Sequence, residues 1–264
     1  MHYRFAHERM DYSDLASGRV FYSRPGRPAL PVRLASEIFQ RCLAIRKAQG
    51  QASPCVLFDP CCGGAYHLSV LACLHRQSIS GVVASDIDEE AVSLAGKNLG
   101  LLGGEGIDAR IRQISAMLRQ YGKESHKEAL ESAVRLRDQL ARLAPRQPFM
   151  IKTFRADATD GSALLDQMSG VTVDIVLTDV PYGKHSVWNI PSGEGSSKPL
   201  WLILQALSQI LLPTSVVAIA SDKRQKAAHE GYQRVEQFQV GKRRVVILRP
   251  VNRAQQQQPG GNGG

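Results

Sequence analysis

Several signatures that would assign a chemistry at once are missing from this sequence. It has no CxxC pair and no HxxxH, so neither a disulfide framework nor a zinc site is indicated, and we expect no metal. It also lacks the dinucleotide-binding GxGxxG, which disfavours a nicotinamide-dependent dehydrogenase, and the phosphate-binding GxxxxGK[ST]. We interpret the five cysteines as buried apolar residues and the scattered histidines as structural or surface residues.

A long apolar segment is missing as well. No run of about 18 apolar residues occurs, and residues 1–10 (MHYRFAHERM) carry charges where a secretory signal needs an apolar stretch. These features predict a soluble, cytoplasmic protein without membrane contact, and we expect a monomer. With 264 residues, of which 43% are hydrophobic, the chain can bury the core of one full α/β domain.

Acidic residues are scarce towards both ends of the chain. Residues 1–53 contain 9 basic and 4 acidic side chains, and residues 223–264 contain 9 and 2, within a net charge of +9. Basic flanks around an acidic middle predict a polyanionic partner, although charge alone fits a merely basic soluble protein equally well. Within the first flank, with Tyr22 nearby, the candidate RNA contacts are Arg24, Arg27 and Arg33.

The hydrophobic pattern alternates between buried strands and helices. Apolar runs predict strands at 55–58, 81–85, 150–155, 173–177, 215–220, 234–240 and 244–249. Helical spacing predicts helices at 32–48, 66–74, 89–102 and 200–212. The three-residue link between the last two strands permits only an antiparallel pair. The predicted fold class is therefore α/β: a Rossmann-like, mostly parallel seven-stranded sheet with an antiparallel C-terminal hairpin strand, as in class I methyltransferases.

Residues 103–148 interrupt this alternation. Two amphipathic runs predict a helical hairpin inserted into the core domain. Two interpretations of this hairpin stay open: packing against the core domain and direct contact with RNA. Packing is favoured for most of its length. The predicted organisation is a basic N-terminal extension and helix at 1–53, a methyltransferase domain at 54–254 and a disordered tail at 255–264.

Acidic residues end or follow four of the predicted strands. The first, Asp59, opens a glycine-rich loop, and Asp86, Asp157 and Asp179 follow later strands. Because the carboxyl ends of parallel strands meet at one sheet edge, these acids predict a nucleoside cofactor site, with Asp86 at the ribose and Asp157 at the adenine. The alternative role for Asp86 is to cap the helix that follows it, without any contact to a cofactor. The candidate loop residues are Asp59, Cys61, Gly63, Gly64 and Ala65.

The most specific motif is Asp179-Val180-Pro181-Tyr182. It resembles the [Asn/Asp/Ser]-Pro-Pro-[Tyr/Phe] motif of amino-methyltransferases, with Val180 in place of the first proline. The lone pair of a base nitrogen is delocalised into the ring, so acceptors such as the Asp179 carboxylate and the Val180 carbonyl would make that nitrogen more nucleophilic. Tyr182 can stack on an extruded base, or it simply packs on the sheet. The glycine- and serine-containing segment 184–198 predicts a lid.

Further stretches extend this resemblance beyond the methyltransferase class. The chain resembles the avilamycin-resistance rRNA methyltransferase (AviRa-like) family at 14–16, 31–41, 59–63, 84–86, 97–99 and 177–183. The resemblance implies a class I fold, S-adenosyl-L-methionine as cofactor, and methylation of a guanine base in large-subunit ribosomal RNA at N1 or N2, which would block an orthosomycin antibiotic. The resemblance also implies roles for individual residues: Asp59 and Gly63 in the cofactor loop, Asp86 at the ribose, Asp157 at the adenine, and residues 179–182 at the target base.

One departure from the family pattern lies in the cofactor loop, where Ala65 replaces a glycine. We expect its methyl group to lie beside the cofactor and to weaken binding. This leaves open a catalytically idle RNA-binding or ribosome-assembly protein, although the four strand-end acids argue against it. A third interpretation is an amino-methyltransferase that acts on DNA or protein, because the Asp-Val-Pro-Tyr turn can also bind adenine, cytosine or glutamine. The clustered arginines favour nucleic acid over protein.

Overall fold

Seven strands form one mixed sheet in a computed structural model that describes residues 3–24, 30–51, 54–143, 148–180 and 199–251. The sheet order is β3-β2-β1-β4-β5-β7-β6. Strands β1 to β5 are parallel, whereas β7 pairs antiparallel with both β5 and β6. The strands are β1 Cys55–Asp59, β2 Ile79–Asp86, β3 Met150–Arg155, β4 Val173–Asp179, β5 Leu211–Asp222, β6 Tyr232–Val240 and β7 Arg243–Pro250.

Helices cover both faces of this sheet. The described helices are α1 Val32–Ala48, α2 Tyr66–Leu74, α3 Glu89–Gly100, α4 Gly104–Tyr121, α5 Glu124–Arg142, α6 Gly161–Gln167 and α7 Pro199–Leu207. One apolar core joins α1, α2, α3, α4 and α5 to one face, and a second joins α6 and α7 to the other. The predicted α/β fold class, a mostly parallel seven-stranded sheet with an antiparallel C-terminal hairpin strand, is confirmed. Among the described helices none is long and apolar enough to cross a membrane.

The helix predicted at 200–212 is wrong at its C-terminal end. Helix α7 ends at Leu207, and β5 already begins at Leu211. The physical reason is that Leu211 pairs with Val173 of β4, while Pro213 disfavours helical backbone at Leu212. The short helix α6 was not predicted; Asp160 caps it by accepting a hydrogen bond from the Ala163 amide at 3.0 Å.

The predicted helical hairpin is formed by α4 and α5, and it packs on the N-terminal segment. Arg110 donates to the Val20 carbonyl at 2.9 Å, and Asp14 accepts hydrogen bonds from both Ser132 and Arg135 at 2.7 Å. These contacts favour the packing interpretation of the insertion. The boundary predicted after residue 53 stays a prediction, since α1 itself packs against α2 and β5. The predicted tail at 255–264 and the predicted lid at 184–198 lie outside the described residues.

Candidate active site

The carboxyl ends of the central strands bring the predicted acids to one edge of the sheet. Asp59 ends β1 beside Ala84 of β2, and Asp179 ends β4 beside Ala220 of β5. Asp86 ends β2, and Asp157 lies two residues beyond the end of β3. This is the edge at which open α/β sheets bind their ligands, so the site begins with four carboxylates on adjoining strands.

The glycine-rich loop after β1 is tied to the end of β2. Gly63 adopts a positive φ of 52° and donates its amide hydrogen to Asp86 Oδ2 at 2.8 Å. The amide of Cys62 donates to the Ser85 carbonyl at 2.9 Å. A Cβ built on Gly63 would meet nothing within 4 Å, so this residue faces open space at the strand ends. The loop therefore offers a ligand its bare backbone at Gly63.

The next two loop residues face the protein instead. A Cβ on Gly64 would come within 2.8 Å of Leu94 Cδ2, so a larger residue there would displace the Leu94 side chain of α3. Ala65 has a φ of 50° and no exposed surface, and it belongs to the apolar core beneath α2. This differs from the expectation that its methyl group lies beside the cofactor: the group packs in the core, and the cost of Ala65 is backbone strain.

Asp86 and Asp157 both organise the turns that follow their strands. Asp86 Oδ1 accepts from the Asp88 amide at 3.0 Å, and Asp157 Oδ1 accepts from the amide and hydroxyl of Thr159. The cap of α3 is Asp88, which accepts from the Glu90 amide, and not Asp86. Asp86 is thereby left at the strand end, in contact with the Gly63 loop.

A buried histidine lies beneath the loop. His67 Nε2 is 3.2 Å from the Leu177 carbonyl, which can only accept, so this nitrogen carries the proton. The same nitrogen is 3.1 Å from Asp59 Oδ2, and Asp59 is fully buried. Burial alone would lower the pKa of His67, but the Asp59 carboxylate and the Leu177 carbonyl outweigh it and raise that pKa above the ordinary value. His67 therefore links the end of β1 to the end of β4.

Asp179 combines a buried carboxylate oxygen with a nearby arginine. Its Oδ1 is buried and accepts no hydrogen bond within the described residues, while Oδ2 lies 3.5 Å from Arg243 Nη2. Burial raises the pKa of Asp179 above the usual range, and the positive charges of Arg243 and His67 oppose that rise. A buried acceptor without a donor at a ligand-binding edge fits the N–H group of an incoming ligand.

Of the other residues in this motif, Val180 is described and buried, and its amide donates to the Ala220 carbonyl at 3.0 Å. Pro181 and Tyr182, both assigned to the target base, lie outside the described residues.

The two loop cysteines are not available as nucleophiles. Burial, reinforced by the carboxylates of Asp59 and Asp86, raises the pKa of Cys61 and of Cys62 well above the ordinary value. A thiol with a raised pKa stays protonated and attacks poorly.

Two of the three arginines predicted to contact RNA have intramolecular partners. Arg24 lies 2.9 Å from Asp88 and 2.9 Å from Glu90, next to the end of β2. Arg33 donates to the carbonyls of Ala6 and His7 and lies over a tyrosine ring. Both side chains hold the N-terminal segment in place, which leaves their predicted RNA contacts without support in the geometry. The third, Arg27, lies outside the described residues.

Comparison with known proteins places this site in a defined family. A family model described as rRNA methyltransferase AviRa matches residues 1–243. A relative from Streptomyces viridochromogenes, named 23S rRNA (guanine(2535)-N(1))-methyltransferase, is 41% identical over 250 residues, covering 95% of this chain and 96% of the relative. Two solved structures of rRNA methyltransferase aviRa from that organism, at 2.4 and 1.5 Å, each give a TM-score of 0.83 at 40% identity over 94% of this chain and 96% of theirs.

The chain belongs to the AviRa family of rRNA methyltransferases. Its predicted resemblance to that family is confirmed, as are the class I fold and the assignment as a methyltransferase.

Sequence reasoning missed three residues of this AviRa-family site. His67 looked like a structural histidine, Arg243 was only part of a basic flank, and Asn98 belonged to a matching stretch without a role. Asn98 is fully buried, and its side-chain amide donates to the carbonyls of both Tyr22 and Gly64. The sequence does mark Asn98 as a polar residue at a core position of an amphipathic helix. A polar side chain that is buried there needs hydrogen-bond partners.

Proposed function

We propose that this AviRa-family protein transfers a methyl group from S-adenosyl-L-methionine to N1 of a guanine base in 23S ribosomal RNA. The observation that carries the proposal is the buried Oδ1 of Asp179 at the carboxyl edge of the sheet, which accepts no hydrogen bond from any residue that the structure describes. The relative named as a 23S rRNA guanine-N1 methyltransferase supports the choice of atom and of RNA.

The cofactor would lie between Gly63 and the ends of β2 and β3. It supplies an electrophilic methyl group when bound. Gly63 leaves room for close backbone approach, since a Cβ there would point into open space. We assign Asp86 to the ribose hydroxyls and Asp157 to the adenine amino group, because both carboxylates follow neighbouring strands at this edge. Asp59, Cys61, Gly64 and Ala65 shape the loop from beneath.

Asp179 would receive the proton that guanine N1 loses. N1 of guanine carries a hydrogen, so its lone pair becomes available only as that hydrogen leaves. Because burial raises the pKa of Asp179, its carboxylate is a stronger proton acceptor than an exposed aspartate. The positive charges of Arg243 and His67 oppose this rise. The Val180 carbonyl and the Tyr182 ring are assigned to the exocyclic amine and to stacking.

Methyl transfer to RNA tests this proposal directly. Large-subunit RNA from cells that lack the protein is incubated with labelled S-adenosyl-L-methionine, and the product is digested to nucleosides and identified by mass spectrometry. We expect one 1-methylguanosine in 23S rRNA. Label in N2-methylguanosine would overturn the assignment of Asp179 as the N1 proton acceptor. No label together with no cofactor binding by calorimetry would indicate a catalytically idle RNA-binding protein. Label in DNA or protein would indicate an amino-methyltransferase that acts on one of those substrates.

Cellular consequences follow from the same proposal. A cytoplasmic monomer acting on the ribosome would protect bacteria from an orthosomycin antibiotic by modifying its rRNA site. Expression of the protein in a sensitive host, compared with its Asp179→Asn variant, should raise the inhibitory concentration of avilamycin only for the wild type. Equal sensitivity of the two strains, despite methylated rRNA, would separate the enzymatic activity from resistance.

A further inference from the structure

Two loops beside the candidate active site carry a dense set of cations. The chain leaving β5 holds Lys223, Arg224 and Lys226, and the turn from β6 into β7 holds Lys242, with Arg244 two residues later. We call these five residues the basic rim. None of them belongs to the arginine cluster that the N-terminal sequence singles out.

The two loops form one continuous surface. The amide of Lys223 donates to the Lys242 carbonyl at 3.3 Å, which extends the antiparallel β5–β7 ladder by one step. Arg244 Nη1 lies 3.5 Å from the Gln225 carbonyl, so it reaches across from β7 to the other loop. The five cations are therefore neighbours in space, although about twenty residues separate them in sequence.

The rim carries its charge without compensation. Lys223, Arg224, Lys226 and Lys242 are exposed, and across the described ranges none of the five rim side chains forms an ion pair with an acid. The adjacent acid, Asp222, accepts from the Arg224 amide instead. Some cations outside the rim are paired instead: Arg19 pairs with an acid of α5, and Arg135 pairs with an acid of the N-terminal segment. Like charges held together without acids between them favour an anionic partner.

The rim also lies beside the proposed proton acceptor. Arg243, between two rim residues, reaches Asp179 Oδ2, and Asp179 is level with Ala220, two residues before β5 ends. With a rise of about 3.3 Å per residue and about 4.8 Å between strands, the rim begins roughly 10 Å from Asp179. That spacing places it beside the target base and on the far side of Asp179 from the cofactor loop.

We propose that the basic rim binds the phosphodiester backbone of the substrate RNA next to the methylated guanine. The inference rests on the proposed function for the identity of the RNA, but the rim's role in binding is separable from catalysis. Lysine and arginine bind phosphates through charge and hydrogen bonds without reading sequence. The rim would hold the strand in register, and residues 179–182 would take the base itself.

Neutralising the rim tests this inference. The variant Lys223→Gln, Arg224→Gln, Lys226→Gln, Lys242→Gln is compared with a matched variant of the insertion, Arg112→Gln, Arg119→Gln, Lys123→Gln, Arg142→Gln. Both remove four exposed cations and the same net charge. Binding to a 23S rRNA transcript is measured at several salt concentrations, without turnover, and KM and kcat for methyl transfer are measured separately.

We expect the rim variant alone to lose RNA affinity, by about tenfold or more near physiological salt. Its slope of log Kd against log salt should become shallower by about 0.7 for each phosphate that the rim no longer neutralises. KM for RNA should rise, while the affinity for S-adenosyl-L-methionine stays unchanged. Equal losses in the two variants would mean that only net charge matters and would overturn the proposal, as would a loss confined to the insertion variant.

Failure of the rim is distinguishable from failure of the enzymatic proposal. A rim variant that binds the transcript as wild type does, but no longer binds assembled subunits, would point to an acidic ribosomal protein and overturn the inference. A wild type that binds RNA through the rim but methylates none would leave the rim in place and remove the proposed activity.

Discussion

At the scale of single residues, the cofactor loop contains two residues with left-handed backbone conformation that differ in what surrounds them. Gly63 and Ala65 both have φ near +50°, but only Gly63 faces open space at the strand ends. We therefore predict that Gly63→Ala weakens binding of S-adenosyl-L-methionine, because it adds a methyl group where the ligand would lie. Its control is Gly122→Ala, which meets the same strain at the end of α4 with nothing within 4 Å.

Both alanine variants should lose about 1–2 kcal/mol of unfolding free energy from the strained backbone. Only Gly63→Ala should also lose cofactor affinity, measured by isothermal titration calorimetry. Equal cofactor affinity in the two variants would show that Gly63 does not border the ligand.

His67 is the second residue whose role can be separated by matched variants. His67→Gln keeps a donor for the Leu177 carbonyl but removes the positive charge near Asp179, whereas His67→Leu removes both. Since that charge lowers the pKa of Asp179, its loss should shift the acidic limb of the kcat–pH profile to higher pH in His67→Gln. His67→Leu should in addition lose about 1–3 kcal/mol of stability from unsatisfied buried acceptors. An unmoved acidic limb in His67→Gln would restrict His67 to a structural role.

At the scale of elements, Asn98 joins three parts of the chain. From α3 it accepts from the Tyr22 amide at 2.7 Å and donates to the Gly64 carbonyl at 2.8 Å, so it connects the N-terminal segment to the cofactor loop. Asn98→Ala should lower stability by about 1–3 kcal/mol, speed proteolysis of residues 3–24 and weaken cofactor binding. The control Lys97→Ala removes an exposed side chain from the neighbouring position of the same helix. It should change none of the three, and the coupling is refuted if cofactor binding in Asn98→Ala is unchanged.

The helices and strands also show how much of the fold can be predicted from the sequence. The buried strands β1 and β4 were predicted to within two residues, because apolar runs bounded by polar residues leave few alternatives. The end of α7 was misplaced, since Leu211 and Leu212 are apolar in either structure and only Pro213 distinguishes them. The acids of the site were found because strand ends are visible in sequence. The partners of Arg24 and His67 were not, because they depend on contacts between distant segments.

At the scale of the whole molecule, one buried carboxylate ties the N-terminus to α1. Glu37 accepts from the amides of Arg4, Phe5 and Ala6 and pairs with Arg41. Burial alone would raise the pKa of Glu37, but these hydrogen bonds outweigh it and lower that pKa. Because the folded pKa is the lower one, the stabilisation is present above the ordinary glutamate range and is lost as pH falls through the folded value.

This linkage predicts a pH-dependent stability. The free energy of unfolding, measured by urea denaturation between about pH 7 and pH 3, should fall more steeply in wild type than in Glu37→Gln. The Gln variant should be less stable at neutral pH and approach wild type in acid. Parallel curves for the two proteins would assign the acid sensitivity to other carboxylates.

The central claim is that Asp179 accepts the N1 proton of a guanine bound at the strand ends, and single-turnover methyl transfer by Asp179→Asn tests it most directly. Asparagine keeps the shape of the side chain but cannot take up the proton. We expect the transfer rate to fall on the order of 10²-fold or more, with S-adenosyl-L-methionine and RNA affinities within about twofold of wild type. In wild type the rate should rise with pH through the raised pKa of Asp179. A variant that transfers at the wild-type rate, with the same pH profile, would contradict the account.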